Sequence, residues 1–175
     1  MKHLSIVLAV LLVASVALSA QEPSADFLLY DYPALADFGE LTLAGRTFSN
    51  GDLEGKIVFM NFWAPWCKPC IEEMPELHRL YERFKNNPNV LVLAVHTGWA
   101  GEPIEKVRAF VSSKGYTVPV IYDDDGSLRR SFDSGGIPRN YLIDGSGQVR
   151  ALVEPRPLDS FVQRASDKIE NLLQE

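Results

Sequence analysis

Residues Phe59–Pro75 read FMNFWAPWCKPCIEEMP, and this stretch holds both cysteines of the chain, Cys67 and Cys70. Its hydrophobic period changes halfway. The segment KIVFMNFW, ending at Trp63, is a nearly continuous apolar run, the pattern of a strand covered on both faces. From Lys68 to Asn87 the apolar positions Ile71, Met74, Leu77, Leu80, Tyr81 and Phe84 recur every three or four residues, the stripe of an amphipathic helix. Asn86-Asn87-Pro88 closes that helix, and Pro75, which has no N–H to donate, predicts a kink about one turn after Cys70. Cys67 therefore stands where a buried strand hands over to a helix.

That location carries chemistry. The first N–H groups of a helix have no intrahelical acceptor and form the positive end of its dipole, so a thiolate placed there is stabilised. Thiols in such sites have pKa values of roughly 3.5 to 7.5, against about 8.5 for a free cysteine. Cys67 is the natural nucleophile. Cys70, one turn later on the same face, can attack a mixed disulfide at Cys67 and release the partner reduced. Two plainer readings compete. A disulfide closing so short a loop removes little unfolded-state entropy and makes a poor staple. A structural zinc site, with His78 the nearest imidazole, wants four ligands, and there is no second cysteine pair.

Outward from the motif, the order of elements indicates an α/β domain with a mixed sheet. GELTLAGRTFSNGDLEGK alternates apolar and polar residues around Ala44-Gly45 and reads as a β-hairpin. NVLVLAVHT is a second buried strand, Glu102–Lys114 a helix begun by Pro103 and ended by Gly115, and TVPVIYD a third strand. GSLRRSF is a short helical segment, NYLIDGSGQVRALVE a second hairpin, and Leu158–Leu173 a closing amphipathic helix. The run Asp123-Asp124-Asp125-Gly126 fails the EF-hand ligand spacing and reads as a solvated turn and helix cap.

The first twenty residues stand apart. Lys2, an apolar run from Leu4 to Leu18 and the small residues Ala17, Ser19 and Ala20 form a secretory signal peptide, too short for the ~20 residues of a membrane span. Residues 1–20 are thus assigned to the signal, 21–37 to a lead-in of no clear period, and 38–175 to one domain. At 175 residues, 46% hydrophobic and 23% charged, the chain can build a sizeable core. Twenty-three acidic against 17 basic residues leave no electrostatic footprint for nucleic acid. An exported chain enters a disulfide-permissive compartment, where two lone cysteines pair or react.

The core N-F-W-A-x-W-C-x-P-C of Asn61–Cys70 resembles the thioredoxin superfamily, and within it the TlpA/ResA-like extracytoplasmic thiol:disulfide oxidoreductases. The resemblance runs from about Thr42 to Leu173 and takes in GDLEGK, Gly136-Ile137-Pro138 and YLIDGSGQV. It implies a thioredoxin-like fold, a central mixed β-sheet flanked by helices, here with an N-terminal β-hairpin extension. It implies that Cys67 attacks and Cys70 resolves as a redox-active disulfide pair. Pro138 matches the cis-proline of the fold, and Ile137 offers its backbone to an extended substrate. Asn61 stands where thioredoxin keeps a buried acid and cannot accept a proton; Glu73 matches the helix glutamate of ResA-like proteins. A desolvated carboxylate there accepts the proton that Cys70 must lose.

Around these, Trp66 offers an apolar surface to partners, Pro69 favours the dithiol as a reductant, and Lys68 occupies the position that tunes the potential. Arg139 and Asn140 follow Pro138 where many relatives carry small or hydroxyl residues, which points to recognition of an acidic or polar surface on the partner. His96 reads as a packed strand-end histidine, and Trp99 as an extension of the partner groove. The resemblance implies a periplasmic or otherwise extracytoplasmic reductant, membrane-anchored if the signal is retained, working as a monomer without cofactor or metal. Its partners would be protein disulfides or dithiols, apocytochrome c among them, with a membrane thiol donor restoring the pair. A peroxiredoxin-like thiol peroxidase is a second reading, although Ala64 stands where its threonine belongs. A copper-binding assembly factor of the Sco type is a third, although such proteins space their cysteines by three residues.

Overall fold

The computed structural model describes residues 39–42, 47–98, 101–132 and 135–175. The expected signal peptide and lead-in, the Ala44-Gly45 turn and Trp99 lie outside the described residues. In chain order the elements are β1 (Gly39–Thr42), β2 (Thr47–Ser49), α1 (Asn50–Leu53), β3 (Ile57–Trp63) and α2 (Lys68–Phe84). β4 (Val90–Thr97), α3 (Ile104–Lys114), β5 (Val120–Asp123) and α4 (Ser127–Phe132) follow. β6 (Arg139–Ile143), β7 (Val149–Leu152) and α5 (Phe161–Leu172), the last entered through a 3-10 turn at Leu158–Ser160, complete the domain.

The strands form one mixed sheet in the order β2-β1-β5-β4-β3-β6-β7. β3, β4 and β5 run parallel, while β6 and β1 flank them antiparallel. All seven residues of β3 are buried, which is why its sequence lacks alternation. Period two still sorts its side chains. Ile57, Phe59 and Trp63 enter the core shared with α2, α3 and α5, and Val58, Met60 and Phe62 enter the opposite core with α1 and α4. Phe59 meets Phe161 of α5 edge-on at 5.9 Å, joining the central strand to the closing helix.

Two details differ from the sequence expectation. The second half of the first hairpin stretch is not strand throughout: after Ser49 the chain makes the single helical turn α1. Asp52 causes this, its Oδ2 accepting the Ser49 backbone N–H at 3.0 Å and so turning the chain out of extended geometry. The triple-aspartate turn is not solvated as a whole either. Asp123 is fully buried and its two carboxylate oxygens accept the N–H groups of Leu128 (3.1 Å) and Arg129 (2.9 Å), so it caps α4 from inside the protein. Asp125 is exposed and accepts the Ser127 N–H at 2.8 Å. α2 runs as one helix through Pro75.

Candidate active site

Cys67 is the N-cap of α2, with extended backbone (φ −84°, ψ 99°), and its Sγ accepts the backbone N–H of Cys70 at 3.3 Å. A sulfur here takes the place of the usual capping oxygen. The N–H that stabilises it is among those left unpaired by helix geometry, so negative charge on Cys67 meets a donor already in place. Cys67 and Cys70 are joined as a disulfide, their Cα atoms 5.2 Å apart. Both are buried. Lys68 and Pro69, the first two helical residues, are exposed beside them.

The opposite wall comes from the segment before β6. The Ile137–Pro138 peptide bond is cis, and the Ile137 carbonyl oxygen lies 3.6 Å from Cys67 Sγ. Trp66 is 52% exposed next to the buried Cys67 and presents a large apolar surface beside the disulfide. Among the described residues, Trp66 and Leu173 are the exposed large hydrophobic side chains, and Leu173 belongs to the far end of α5.

Glu73 follows Cys70 by three residues, so helical geometry puts the two on one face. That face packs on the sheet, and Glu73 is only 1% exposed. Burial pushes its carboxyl pKa up from 4.5 to about 7, against the opposing pull of a hydrogen bond from Asn140 and of the Arg156 and Arg164 charges; Glu154 pushes the same way as burial. Asn140 Nδ2 donates to Glu73 Oε1 at 2.6 Å and to the Val153 carbonyl at 3.1 Å, and Asn61 Nδ2 donates to Asn140 Oδ1 at 2.7 Å. Glu73 Oε2 is buried with no hydrogen-bond partner.

The expectation that Asn140 meets a partner alongside Arg139 is thus corrected: Asn140 is a buried residue beneath the motif. Sequence reasoning missed it. The usable signal was the period of β6: Asn140 and Leu142 alternate with Tyr141 and Ile143, and register pairs Asn140 with Asn61 on β3. Two amides facing each other across a buried pair of strands, on the side covered by α2, call for a polar third partner. Arg139 is half-buried at the start of β6.

His96 is fully buried, stacked on Tyr122 at 5.2 Å and edge-on to Trp63. Burial lowers its pKa while Glu102, whose Oε2 lies 3.5 Å from Nε2, opposes the shift. Packing accounts for it. No three His, Cys, Asp or Glu side chains among the described residues converge as a metal site.

A disulfide-forming cysteine pair at a helix N-terminus, backed by a cis-proline and set in a mixed sheet flanked by helices, defines a thioredoxin-fold thiol-disulfide oxidoreductase. Residues 33–152 match the AhpC/TSA family, and the chain belongs to it. The thiol-disulfide oxidoreductase ResA of Geobacillus kaustophilus is 34% identical over 133 residues, 76% of this chain and 74% of its own length. The crystal structure of StoA from Bacillus subtilis superposes with a TM-score of 0.61 at 25% identity, covering 69% of this chain and 89% of that one. A secreted thiol-disulfide isomerase from Corynebacterium glutamicum shares the fold, with a TM-score of 0.69 at 24% identity over 81% of this chain and 86% of its own.

Proposed function

We propose that this chain is an exported reductant of protein disulfides that works through Cys67 and Cys70, with Glu73 as the proton acceptor for Cys70. The observation that carries the reading is the alignment of three parts along one helix start: Cys67 Sγ held by the Cys70 N–H, Cys70 buried behind it, and Glu73 buried one turn further. Reduced Cys67 attacks one sulfur of a partner disulfide. A Cys67–partner bond forms, the partner disulfide breaks, and its other sulfur leaves as a thiolate that takes a proton from solvent. Cys70 then gives its proton to Glu73 and attacks Cys67 Sγ. The Cys67–Cys70 bond forms, the mixed disulfide breaks, the partner's second sulfur leaves as a thiolate that takes a proton from solvent, Glu73 returns its proton to solvent, and the partner departs two electrons richer.

A substrate segment meets Trp66 on one side and the Ile137-Pro138 backbone on the other, with Lys68 and Pro69 tuning the pair. Export by residues 1–20 suits this chemistry, since protein disulfides persist outside the cytoplasm. The heme-binding cysteine pair of an apocytochrome c is one substrate of the right kind, and a membrane dithiol protein would restore the reduced state.

The test is direct. The protein, reduced beforehand and freed of reductant, should open the disulfide of a reporter peptide one for one; Cys67→Ser should abolish this. Cys70→Ala should retain mixed disulfides with exported proteins. Failure of both would sink the reading, and rapid peroxide consumption instead would favour the thiol-peroxidase reading.

A further inference from the structure

The Asn140 side chain donates both of its N–H groups and accepts one more hydrogen bond, and all three partners fix one orientation. The Val153 carbonyl can only accept, so the Asn140 nitrogen must face it at 3.1 Å. The same nitrogen meets Glu73 Oε1 at 2.6 Å, and the remaining amide oxygen takes the Asn61 donor at 2.7 Å. The Val153 backbone N–H returns to the Asn140 carbonyl at 2.9 Å, tying β6 to the segment after β7. Turning the amide over would set two acceptors against the oxygen and two nitrogens face to face. Asn140 thus always presents a donor to Glu73, and only to Oε1. Oε2 is the carboxylate atom left open.

We propose that Asn140 is the positioning residue of the proton transfer: it holds Glu73 by Oε1 and leaves Oε2 as the atom that receives the Cys70 proton. This rests on the reading of Glu73 as acceptor. In the step, the Cys70 Sγ–H bond breaks, leaving its electron pair on sulfur, and an Oε2–H bond forms; no oxidation or reduction occurs until the resulting thiolate attacks Cys67. Asn61 acts at one remove by keeping Asn140 from turning. A donor fixed on Oε1 favours the charged carboxylate and offsets part of the burial that raises its pKa. The other charges facing Glu73 are Arg156 and Glu154 after β7 and Arg164 on α5, while Glu72 on α2 is paired with Arg156.

The experiment uses the full chain in its oxidised form, labelled with carbon-13 and nitrogen-15. In the wild type, the Asn140 side-chain amide resonances should follow pH with the same midpoint as the Glu73 carboxyl carbon. Asn140→Leu, similar in size but without the donor, should move that midpoint up by about one unit. With a midpoint near 7 in the wild type, the carboxylate fraction at pH 7, and with it the exchange rate of the reduced protein, should then fall about five-fold and recover at higher pH. Asn140→Ser, which keeps a donor, should bring the midpoint back toward the wild type. A Glu73 midpoint that ignores Asn140→Leu overturns the proposal. Should that variant not fold, Asn140 resonances in the wild type that do not track Glu73 overturn it equally. A pH profile of exchange unaltered by Glu73→Gln removes Glu73 from the reaction altogether, a result read independently of Asn140.

Discussion

Glu73→Gln should make the oxidised protein more stable at alkaline pH and leave it nearly unchanged in acid. The folded carboxyl titrates near 7, raised chiefly by burial, whereas in the unfolded chain it returns to 4.5. Between these values the folded state keeps a proton that the unfolded state has lost, so stability falls as pH rises through this window. A gap of about 2.5 units at about 1.4 kcal/mol each amounts to about 3 kcal/mol of stability, fully present below the unfolded pKa and fully lost above the folded one. Guanidinium unfolding of wild type and variant at about pH 4.5 and pH 8.5 measures it. Subtracting one protein from the other cancels every other titrating group, including the buried Asp123 and His96, whose own shifts act in both. The variant should gain about 3 kcal/mol on the wild type across the window. A difference that stays flat with pH would show that Glu73 is not a buried, proton-holding carboxyl, and the proton-transfer account would fall with it.

Two further outcomes test the frame that holds the site. Asp123→Ala leaves the buried N–H groups of Leu128 and Arg129 without their acceptor and should cost about 2 kcal/mol or more, whereas Asp125→Ala on the exposed side should cost less; thermal melts compare them. Phe161→Ala removes the ring that packs edge-on against Phe59 and should cost about 3–5 kcal/mol in denaturant unfolding while leaving the Cys67–Cys70 bond in place.

The site's two halves differed in how far the sequence exposed them. The Cys67 half is local: a strand, a helix start and a stripe lie within one continuous stretch, and each declares itself by its period. The order of β3, α2, β4, α3 and β5 follows from the same periods, as does the pairing of β6 with β7 around Asp144–Gly147. Asn140 is not local. Its partner Glu73 is 67 residues away, and in the sequence it looks like one more polar residue after Arg139. Only the strand register, which sets Asn140 opposite Asn61 under α2, shows what it faces. Asp123 escaped for a related reason: three consecutive aspartates look alike on paper, but only the last residue of β5 points into the core.

The reduction potential of the Cys67/Cys70 couple tests the central claim most directly, and equilibrium with glutathione or dithiothreitol, followed by thiol labelling of the full chain, measures it. A reductant of protein disulfides requires a value below about −220 mV, and that is the result predicted here. A value near about −120 mV would mark the pair as an oxidant and contradict the account.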